Sequence, residues 1–440
     1  MIKKETLAQI ILDFQNNKLP NNLTERDLKI NLDIPLQRAV SIVGPRRSGK
    51  TYYFYNIINK LISKGIEKHR ILYVNFENIK LVDMELKDLD TLLNIFYEIY
   101  PQNINKKIWL FFDEIQNIKN WEIFVRSILD NNKVNIFLTG SSSKLLSREI
   151  ATSLRGRTLN YFMFPFSFAE FLKIKRIQYI KYLSSQEKIK IINAFNNYLT
   201  FGGYPETIIY PSEKEKIINE IIEVTIYQDL IERYKIRNTK IIKLMFNSLI
   251  ESKEFSVHKF YNFLKSLNIK ISKNSLYNYL EYFNDAFIFF PLRRFDWSLK
   301  KIEQSRPKIY CIDNGLIENI VGNNKGKKFE NLTFLSLLRK NYELNKNIFY
   351  YSLESGEVDF VVKERKRIVM LIQACIDIDN YKTKEREAKS LIKASEELKC
   401  NNLLILTGDY EGEEKMKNKK IKYIPLWKWL LNETKVTPFR

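Results

Sequence analysis

The chain has 440 residues, too many for one ordinary core and, at about 150 residues per domain, enough for roughly three domains. Hydrophobic residues make up 45% and charged residues 28% of it, which excludes general disorder. With 72 Lys and Arg against 51 Asp and Glu the formal charge is +21 and the pI near 9.5, which points to a polyanionic partner such as DNA or, more plainly, to a Lys-rich proteome.

The first segment, MIKKETLAQIILDFQNN, has a short apolar run broken by Asp13 and Gln15 and no small-residue cleavage pattern. It reads as an amphipathic helix and not a signal peptide, and no run of 18 apolar residues follows it, so a soluble, cytoplasmic protein without membrane contact is expected.

RAVSIVGPRRSGKTYYFYNIINKLI then gives an apolar strand, a Gly-bounded loop and a helix-period pattern, the context a phosphate-binding loop requires. Gly44 and Gly49 let the backbone curl so that N–H groups face inward at phosphate oxygens, with the N-terminus of the next helix adding to the field, and Gly44, Pro45, Arg46, Arg47, Ser48, Gly49, Lys50, Thr51 and Tyr52 are the candidate nucleotide-binding residues. Lys50 would reach the β- and γ-phosphates of ATP, and Thr51 would place its hydroxyl on Mg²⁺. RILYVNFEN (70–78) predicts a second strand. KKIWLFFDEIQNIKNW predicts a third, a continuous apolar run as expected of a parallel strand buried on both faces. It ends in Asp113, to complete the Mg²⁺ shell, and Glu114, to polarise the attacking water; the plain alternative is that this pair caps a helix.

VNIFLTGSSSKLL (134–146) predicts a fourth strand that ends in Thr139, Gly140 and Ser141. Ser141 is the candidate sensor of the γ-phosphate, against the reading that SSS is a loop and helix cap. In ATSLRGRTLNYFMFPFSFAEF, Arg155 and Arg157 bracket Gly156 before an apolar strand. Either could project toward a γ-phosphate, in a neighbouring subunit if the protein forms a ring, or simply belong to a basic surface loop.

GPRRSGKT, LFFDEIQ, LTGSSSKLL, SLRGR, PFSFAEF and the FGGYPE stretch at 201–206 together resemble the prokaryotic, archaeal-type AAA P-loop ATPases that carry a C-terminal winged helix and a restriction-endonuclease-like domain. The resemblance covers nearly the whole chain and is specific in its N-terminal half. It implies an α/β fold: an additional-strand (AAA-type ASCE) P-loop NTPase core with a parallel sheet over 1–160, with Lys50, Thr51, Asp113, Glu114 and Ser141 in the roles above. It further implies a helical lid over 161–238, a winged helix over 239–315, and a C-terminal α/β restriction-endonuclease-like domain over 316–440.

Residues 160–235 read as largely helical, with the glycines of FGGYPETI and Pro205 breaking a helix run in the position of a lid over the nucleotide. Arg233 and Arg237 are lid sensors or, more plainly, salt-bridge partners. From 241, IIKLMFNSLIES, SVHKFYNFLKSL and SKNSLYNYLEYFND predict three short helices, with Ser256 and Ser272 as N-caps. AFIFFPLRRFDWSLKKIEQSRPKIYCID predicts two apolar strands around a basic, polar turn. In a winged helix the third helix would present Ser272, Lys273, Asn274 and Tyr277 to a major groove, and the wing would offer Arg293, Arg294, Lys300 and Lys301 to phosphates.

The last segment runs helix, strand, GEVDFVVKERKRIVMLIQACIDI, charged helix, strand, an order that resembles the restriction-endonuclease core. In that fold a helix Glu, a strand Asp and an acid-x-Lys converge on a metal ion. Glu330 and Asp359 fit the first two, the plain alternative being that Glu357 and Asp359 are ordinary hairpin polar residues, but Gln373, Ala374 and Cys375 stand where acid-x-Lys belongs. A neutral amide brings an oxygen without charge and a thiol cannot replace an ammonium, so a degenerate nuclease site is expected, kept for DNA or subunit binding. EGEEKMKNKKIK (411–422) reads as a mixed-charge loop or helix end. Cys311, Cys375 and Cys400 lie far apart without C-x-x-C spacing, and His69 and His258 are the only histidines, so no disulfide framework, zinc site or His-rich metal centre is indicated.

The function these features imply is an Mg²⁺-dependent ATPase that couples hydrolysis to binding, remodelling or translocating duplex or branched DNA, as a homo-oligomer up to a hexameric ring. The alternatives are a nucleotide-dependent switch acting on a protein partner and, more remotely, an ATP-regulated nuclease.

Overall fold

The structure, a computed structural model, describes residues 2–32, 37–130, 133–142, 152–180, 182–354, 356–378 and 380–432. The chain divides into two compact units, one up to Met163 and one from Phe164 onward. Among the described residues no helix is long and apolar enough to cross a membrane.

The first unit opens with α1 (Lys4–Asn16), whose Leu7, Ile10, Ile11 and Phe14 recur at helical spacing and are buried. Behind it lies a five-stranded sheet in the order β2-β3-β4-β1-β5, built from β1 (Ala39–Val43), β2 (Ile71–Asn75), β3 (Ile108–Asp113), β4 (Val134–Gly140) and β5 (Thr158–Phe162). Every pairing is parallel, and β1, β3 and β4 are buried along their whole length, as their unbroken apolar runs require. This is a P-loop NTPase core of AAA type, with β4 as the additional strand between β1 and β3. α2 (Lys50–Ser63) leaves the loop after β1 and buries Tyr53, Phe54, Ile57, Ile58 and Leu61. The register sets the carboxyl ends of β1, β3 and β4 side by side, which is where a parallel sheet binds its ligand.

The second unit begins with helices: α5 (Phe168–Ile174), α6 (Ser185–Phe201), α7 (Pro205–Ile209), α8 (Lys214–Val224) and a π-helical stretch over Thr225–Glu232, α4 (Trp121–Leu129) and α3 (Leu86–Ile99) having completed the first unit. The FGGYP segment between α6 and α7 is fixed by a partner 110 residues away. Gly203 N donates to Asp313 Oδ2 at 2.7 Å, Phe166 N donates to Gly203 O at 2.7 Å, and a Cβ on Gly202 would lie 1.8 Å from Asp313 Oδ1.

The three short helices are present as α9 (Thr239–Glu251), α10 (Val257–Ser266) and α11 (Lys273–Asp285), and the Ser256 and Ser272 side chains accept the N–H groups of Lys259 and Ser275 as caps. An antiparallel pair follows, β6 (Phe289–Leu292) with β7 (Lys308–Cys311). The expected basic turn between them differs: it holds the helix α12 (Leu299–Gln304), and the chain leaving β6 bonds to the edge of the next sheet. Tyr350 N donates to Arg293 O at 3.1 Å and Phe295 N donates to Tyr350 O at 2.7 Å, so this turn is tied down on one side.

After α13 (Asn314–Val321), α14 (Lys325–Arg339) leads into a six-stranded mixed sheet in the order β12-β13-β11-β10-β9-β8, an additional α/β layer. β8 (Ile348–Leu353), β9 (Gly356–Glu364) and β10 (Arg367–Cys375) are antiparallel neighbours. α15 (Tyr381–Leu398) then crosses over to β11 (Leu403–Thr407), parallel to β10. The stretch 411–422 is neither the loop nor the helix end its charges suggest but the hairpin of β12 (Gly412–Met416) and β13 (Lys419–Pro425), which runs into α16 (Leu426–Leu431). Lys417 and Asn418 both take positive φ, as a two-residue hairpin turn demands, and Glu413 pairs across the strands with Lys420.

Candidate functional site

The loop between β1 and α2 uses its two glycines differently. Gly49 takes φ 95°, a left-handed turn that delivers Lys50 as the first residue of the helix. Gly44 is needed for room, since a Cβ there would lie 2.2 Å from Met163 O, and its amide donates to Gly140 O of β4 at 3.3 Å. The curl the sequence predicts is thus made at Gly49, while Gly44 packs β1 against its neighbours. Lys50 is buried and folds back on the loop, donating to Gly44 O and Pro45 O at 3.1 Å each. Ser48 Oγ is buried with no hydrogen-bond partner among the described residues, and Ser48 O accepts from Arg26 Nη1 at 2.8 Å. Arg46 pairs with Glu77 at 2.8 Å, Arg47 takes φ 61°, and Tyr52 is exposed.

The carboxylates of β3 meet this loop. Asp113 Oδ2 accepts from Thr51 Oγ1 at 2.7 Å and from Tyr73 OH at 3.0 Å, and its other oxygen accepts from Thr139 Oγ1. Burial, with the Glu114 charge adding, pushes the Asp113 carboxyl above its usual range, against these three donors. Glu114 takes φ 53°, and this turns its side chain back between the strand ends. There one carboxylate oxygen stands 3.3 Å from Lys50 Nζ, and the other accepts the Ser141 amide at 3.0 Å and Gln116 Nε2 at 2.5 Å. Burial would raise Glu114, but Lys50, Gln116 and Arg46 outweigh it and hold the carboxyl below its ordinary range. An orphaned buried hydroxyl, a hydroxyl–carboxylate pair and a buried Lys facing one opening fit a nucleoside triphosphate with Mg²⁺. The Ser141 contact runs through its backbone.

Arg155 and Arg157 lie in the turn into β5, where Arg155 takes φ 52° and Gly156 φ 69°. Arg157 forms an ion pair with Asp130 of its own chain, and Arg155 adds to the field that holds the Asp130 carboxyl below its usual range.

In the second unit, α14, β9 and β7 bring Glu330, Asp359 and a residue the sequence did not single out, Lys308, to one point. Gln373 does not aim its oxygen there. That oxygen accepts the Asp359 amide at 3.2 Å, and Gln373 Nε2 donates to Glu387. A Glu at 373 would set two negative charges against each other, whereas the amide can donate. Burial, with Glu330 adding, pushes the Asp359 carboxyl up to about 7, against the pull of Lys308. Burial also pushes the Cys375 thiol up to about 11, and its Sγ is turned to Asp377 O.

On α11, Ser272, Lys273, Asn274 and Tyr277 are all exposed on the first two turns, with Lys273 Nζ 3.0 Å from His258 Nδ1. The candidate phosphate contacts between β6 and β7 differ in how they are held. The Arg293 guanidinium donates to Glu303 O and Ser305 O at 2.9 Å each, Arg294 N donates to Ser305 Oγ at 3.1 Å, and Lys301 faces Asp296 at 3.7 Å. Lys300 is exposed on α12. Arg233 pairs with Asp229 at 2.7 Å.

Residues 36–172 match the AAA domain family, and residues 192–327 match a domain of unknown function (DUF8612). The uncharacterized protein MJ1544 of Methanocaldococcus jannaschii is 42% identical over 98% of this chain and 96% of its own length. This chain belongs to the same family. An uncharacterized protein of Haemophilus influenzae is 27% identical over 88% of this chain and 93% of its own. Among solved structures, a Walker-type ATPase of Pyrococcus abyssi covers 73% of this chain and 96% of its own at TM-score 0.41 and 11% identity. The ORC1 protein of Aeropyrum pernix in complex with DNA covers 73% and 91% at TM-score 0.31 and 10% identity.

Residues outside the phosphate-loop motifs also belong to the site. Tyr73, Thr139, Gln116 and Arg26 each bond a motif residue. Gln116 was the most accessible of them, two positions after Glu114 in LFFDEIQ, while Arg26 and Tyr73 carry no local pattern that would have marked them.

Proposed function

We propose that the chain is an Mg²⁺-dependent ATPase that couples hydrolysis to binding and remodelling or translocating duplex or branched DNA, as a homo-oligomer up to a hexameric ring. The observation that carries this reading is the placement of Glu114, with one carboxylate oxygen on Lys50 and the other on the Ser141 amide, beside the Thr51–Asp113 pair. Thr51 and Asp113 would hold Mg²⁺, whose charge offsets that of the phosphates when it is bound. Lys50 would give up its loop carbonyls for phosphate oxygens. The Glu114 carboxyl, held ionised, would take a proton from water, and Ser141 would report on that carboxylate through its amide.

The basic charge and the exposed Lys273, Asn274 and Tyr277 of α11 support contact with DNA in the manner of a winged helix. The helix-and-three-strand order from α14 to β10 supports a nuclease-like fold used as a grip, with Glu330, Asp359 and Gln373 not cleaving. A second reading, a nucleotide-dependent switch acting on a protein partner, is favoured by one observation: the candidate finger Arg157 is paired with Asp130 of its own chain.

Steady-state ATP hydrolysis, alone and with single-stranded, duplex and branched DNA, tests these readings, with Glu114→Gln as the blank. Stimulation by one DNA structure is expected. Equal rates with and without DNA would overturn the DNA-driven reading in favour of the switch, and hydrolysis undiminished in Glu114→Gln would overturn the assignment of the base.

A further inference from the structure

The divalent metal that a nuclease-like fold would carry does not fit the residues present here. Lys308 on β7 is 2% exposed, and its Nζ stands 3.1 Å from Glu330 Oε1, 3.2 Å from Glu357 Oε1 and 3.2 Å from Asp359 Oδ1. Three carboxylates from two elements therefore converge on one ammonium. Each has a further donor: Tyr310 OH to Glu330 at 2.6 Å, Ala374 N to Asp359 at 3.0 Å, and Lys253 to Glu357.

These separations are those of ammonium hydrogen bonds, whereas Mg²⁺, Mn²⁺-like and Ca²⁺ ions hold oxygens at about 2.0–2.6 Å. An ammonium and a divalent ion cannot share a point surrounded in this way, because the carboxylates that would ligate the ion already face a fixed positive charge. Charge points the same way. A buried Lys is costly unless it is paired and hydrogen-bonded, and here the three acids supply that pairing. Gln373, the position from which a further acid would complete a metal shell, is turned to the Asp359 amide and Glu387 instead.

We propose that the Lys308 ammonium stands in the place of the divalent ion, so that this cluster binds no divalent metal while Lys308 is present and becomes a metal site when it is removed. The proposal rests on the nuclease-like reading of residues 316–440 only for the expectation of a metal; the ion-pair geometry stands on its own. Lys308 belongs to the β6/β7 pair and not to the sheet that carries Asp359, so the same ammonium that fills the site also fastens that pair to α14 and β9. A cleft of about 270 Å³, lined among others by Lys253, Lys308, Tyr310, Lys327 and Glu330, opens beside the cluster.

The test is a Mn²⁺ titration of the full chain without nucleotide, read by the electron paramagnetic resonance of free Mn²⁺, in an Asp113→Asn background that removes the carboxylate expected to hold the metal of the nucleotide site. The parent is expected to show no Mn²⁺ binding that Asp359→Asn abolishes. Adding Lys308→Met is expected to create one Mn²⁺ site per chain, lost again on Asp359→Asn, with a melting temperature that rises on Mn²⁺ addition only in the Lys308→Met chain. Asp359-dependent Mn²⁺ binding by the parent would overturn the proposal. So would a Lys308→Met chain that is folded by circular dichroism and gains no site. If Lys308→Met does not fold, the parent and its Asp359→Asn partner still test the first half, since Asp359-dependent Mn²⁺ binding with Lys308 in place overturns it. Either failure leaves the ATPase reading untouched, since that reading is tested by hydrolysis.

Discussion

Gln116 holds Glu114: its Nε2 donates to Glu114 Oε2 at 2.5 Å, on the same oxygen that accepts the Ser141 amide. The carboxylate that would activate water is therefore fixed by a side chain two residues on and by the tip of the adjacent strand, while Lys50 neutralises its other oxygen. A hydrogen bond to a charged group contributes about 1.5–3 kcal/mol, so Gln116→Leu is expected to lower kcat for ATP about ten- to hundred-fold. Nucleotide affinity should stay near that of the parent, because the Gln116 amide bonds Glu114 and not a residue of the phosphate loop. An unchanged kcat would show that Glu114 is positioned without it.

Gly202 and Gly322 share a φ of 72°, and they separate backbone strain from crowding. A Cβ on Gly322 meets nothing within 4 Å, so Gly322→Ala should lose only the strain, about 1–3 kcal/mol. On Gly202 the same Cβ would lie 1.8 Å from Asp313 Oδ1 and displace the carboxylate that accepts Gly203 N and Gly315 N. Gly202→Ala should therefore cost at least about 2 kcal/mol more. Guanidinium midpoints of the two variants measure this, and equal losses would mean that the Asp313 hub yields easily.

Asp313 also predicts a pH dependence. Burial pushes its carboxyl up to about 7, against the Gly203 and Gly315 amides and the Arg339 charge. The folded chain thus holds this proton up to about pH 7, whereas the unfolded chain releases it near pH 4. The folded state binds more protons across that window, so the contribution of this group is full below about pH 4 and is lost as pH rises to about 7, with a span on the order of 3–4 kcal/mol. Asp359 titrates in the same window. The reading is therefore the difference between the parent and Asp313→Asn, whose stability should lack this fall. Parallel pH profiles of the two would refute it.

The nucleotide site was legible because its chemistry is local. A loop that turns phosphate-ward needs Gly49, Lys50 and Thr51 in sequence, and a strand that delivers two acids at its tip reads as LFFDE whatever surrounds it. The order of the strands was less so: that β4 runs between β1 and β3 came from the family pattern and not from the run VNIFLTG itself. What stayed hidden depends on contacts between distant residues. Lys308 is one Lys in a basic chain until β7 is laid against α14 and β9. FGGYPE gives no sign that Asp313 closes on it. The 411–422 hairpin was misread because its strands are half exposed and charged, so they lack the apolar run that marks β1, β3 and β4; only Lys417 and Asn418, both at positive φ, declare the turn.

The basic residues expected to touch DNA should divide by how they are held. Lys273 and Tyr277 are exposed on the outer face of α11, whereas the Arg293 guanidinium is spent on Glu303 O and Ser305 O within the β6–β7 connection. If α11 faces DNA, Lys273→Ala removes one counterion-releasing contact, and the slope of log K against log salt should fall by about one. Arg293→Ala should leave that slope unchanged and lower the melting temperature, because two carbonyls lose their donor. Fluorescence anisotropy with a labelled duplex over a salt series, run beside thermal melts, reads both. A salt slope that responds to Arg293 and not to Lys273 would place the DNA on the β6–β7 connection and remove α11 from the interface.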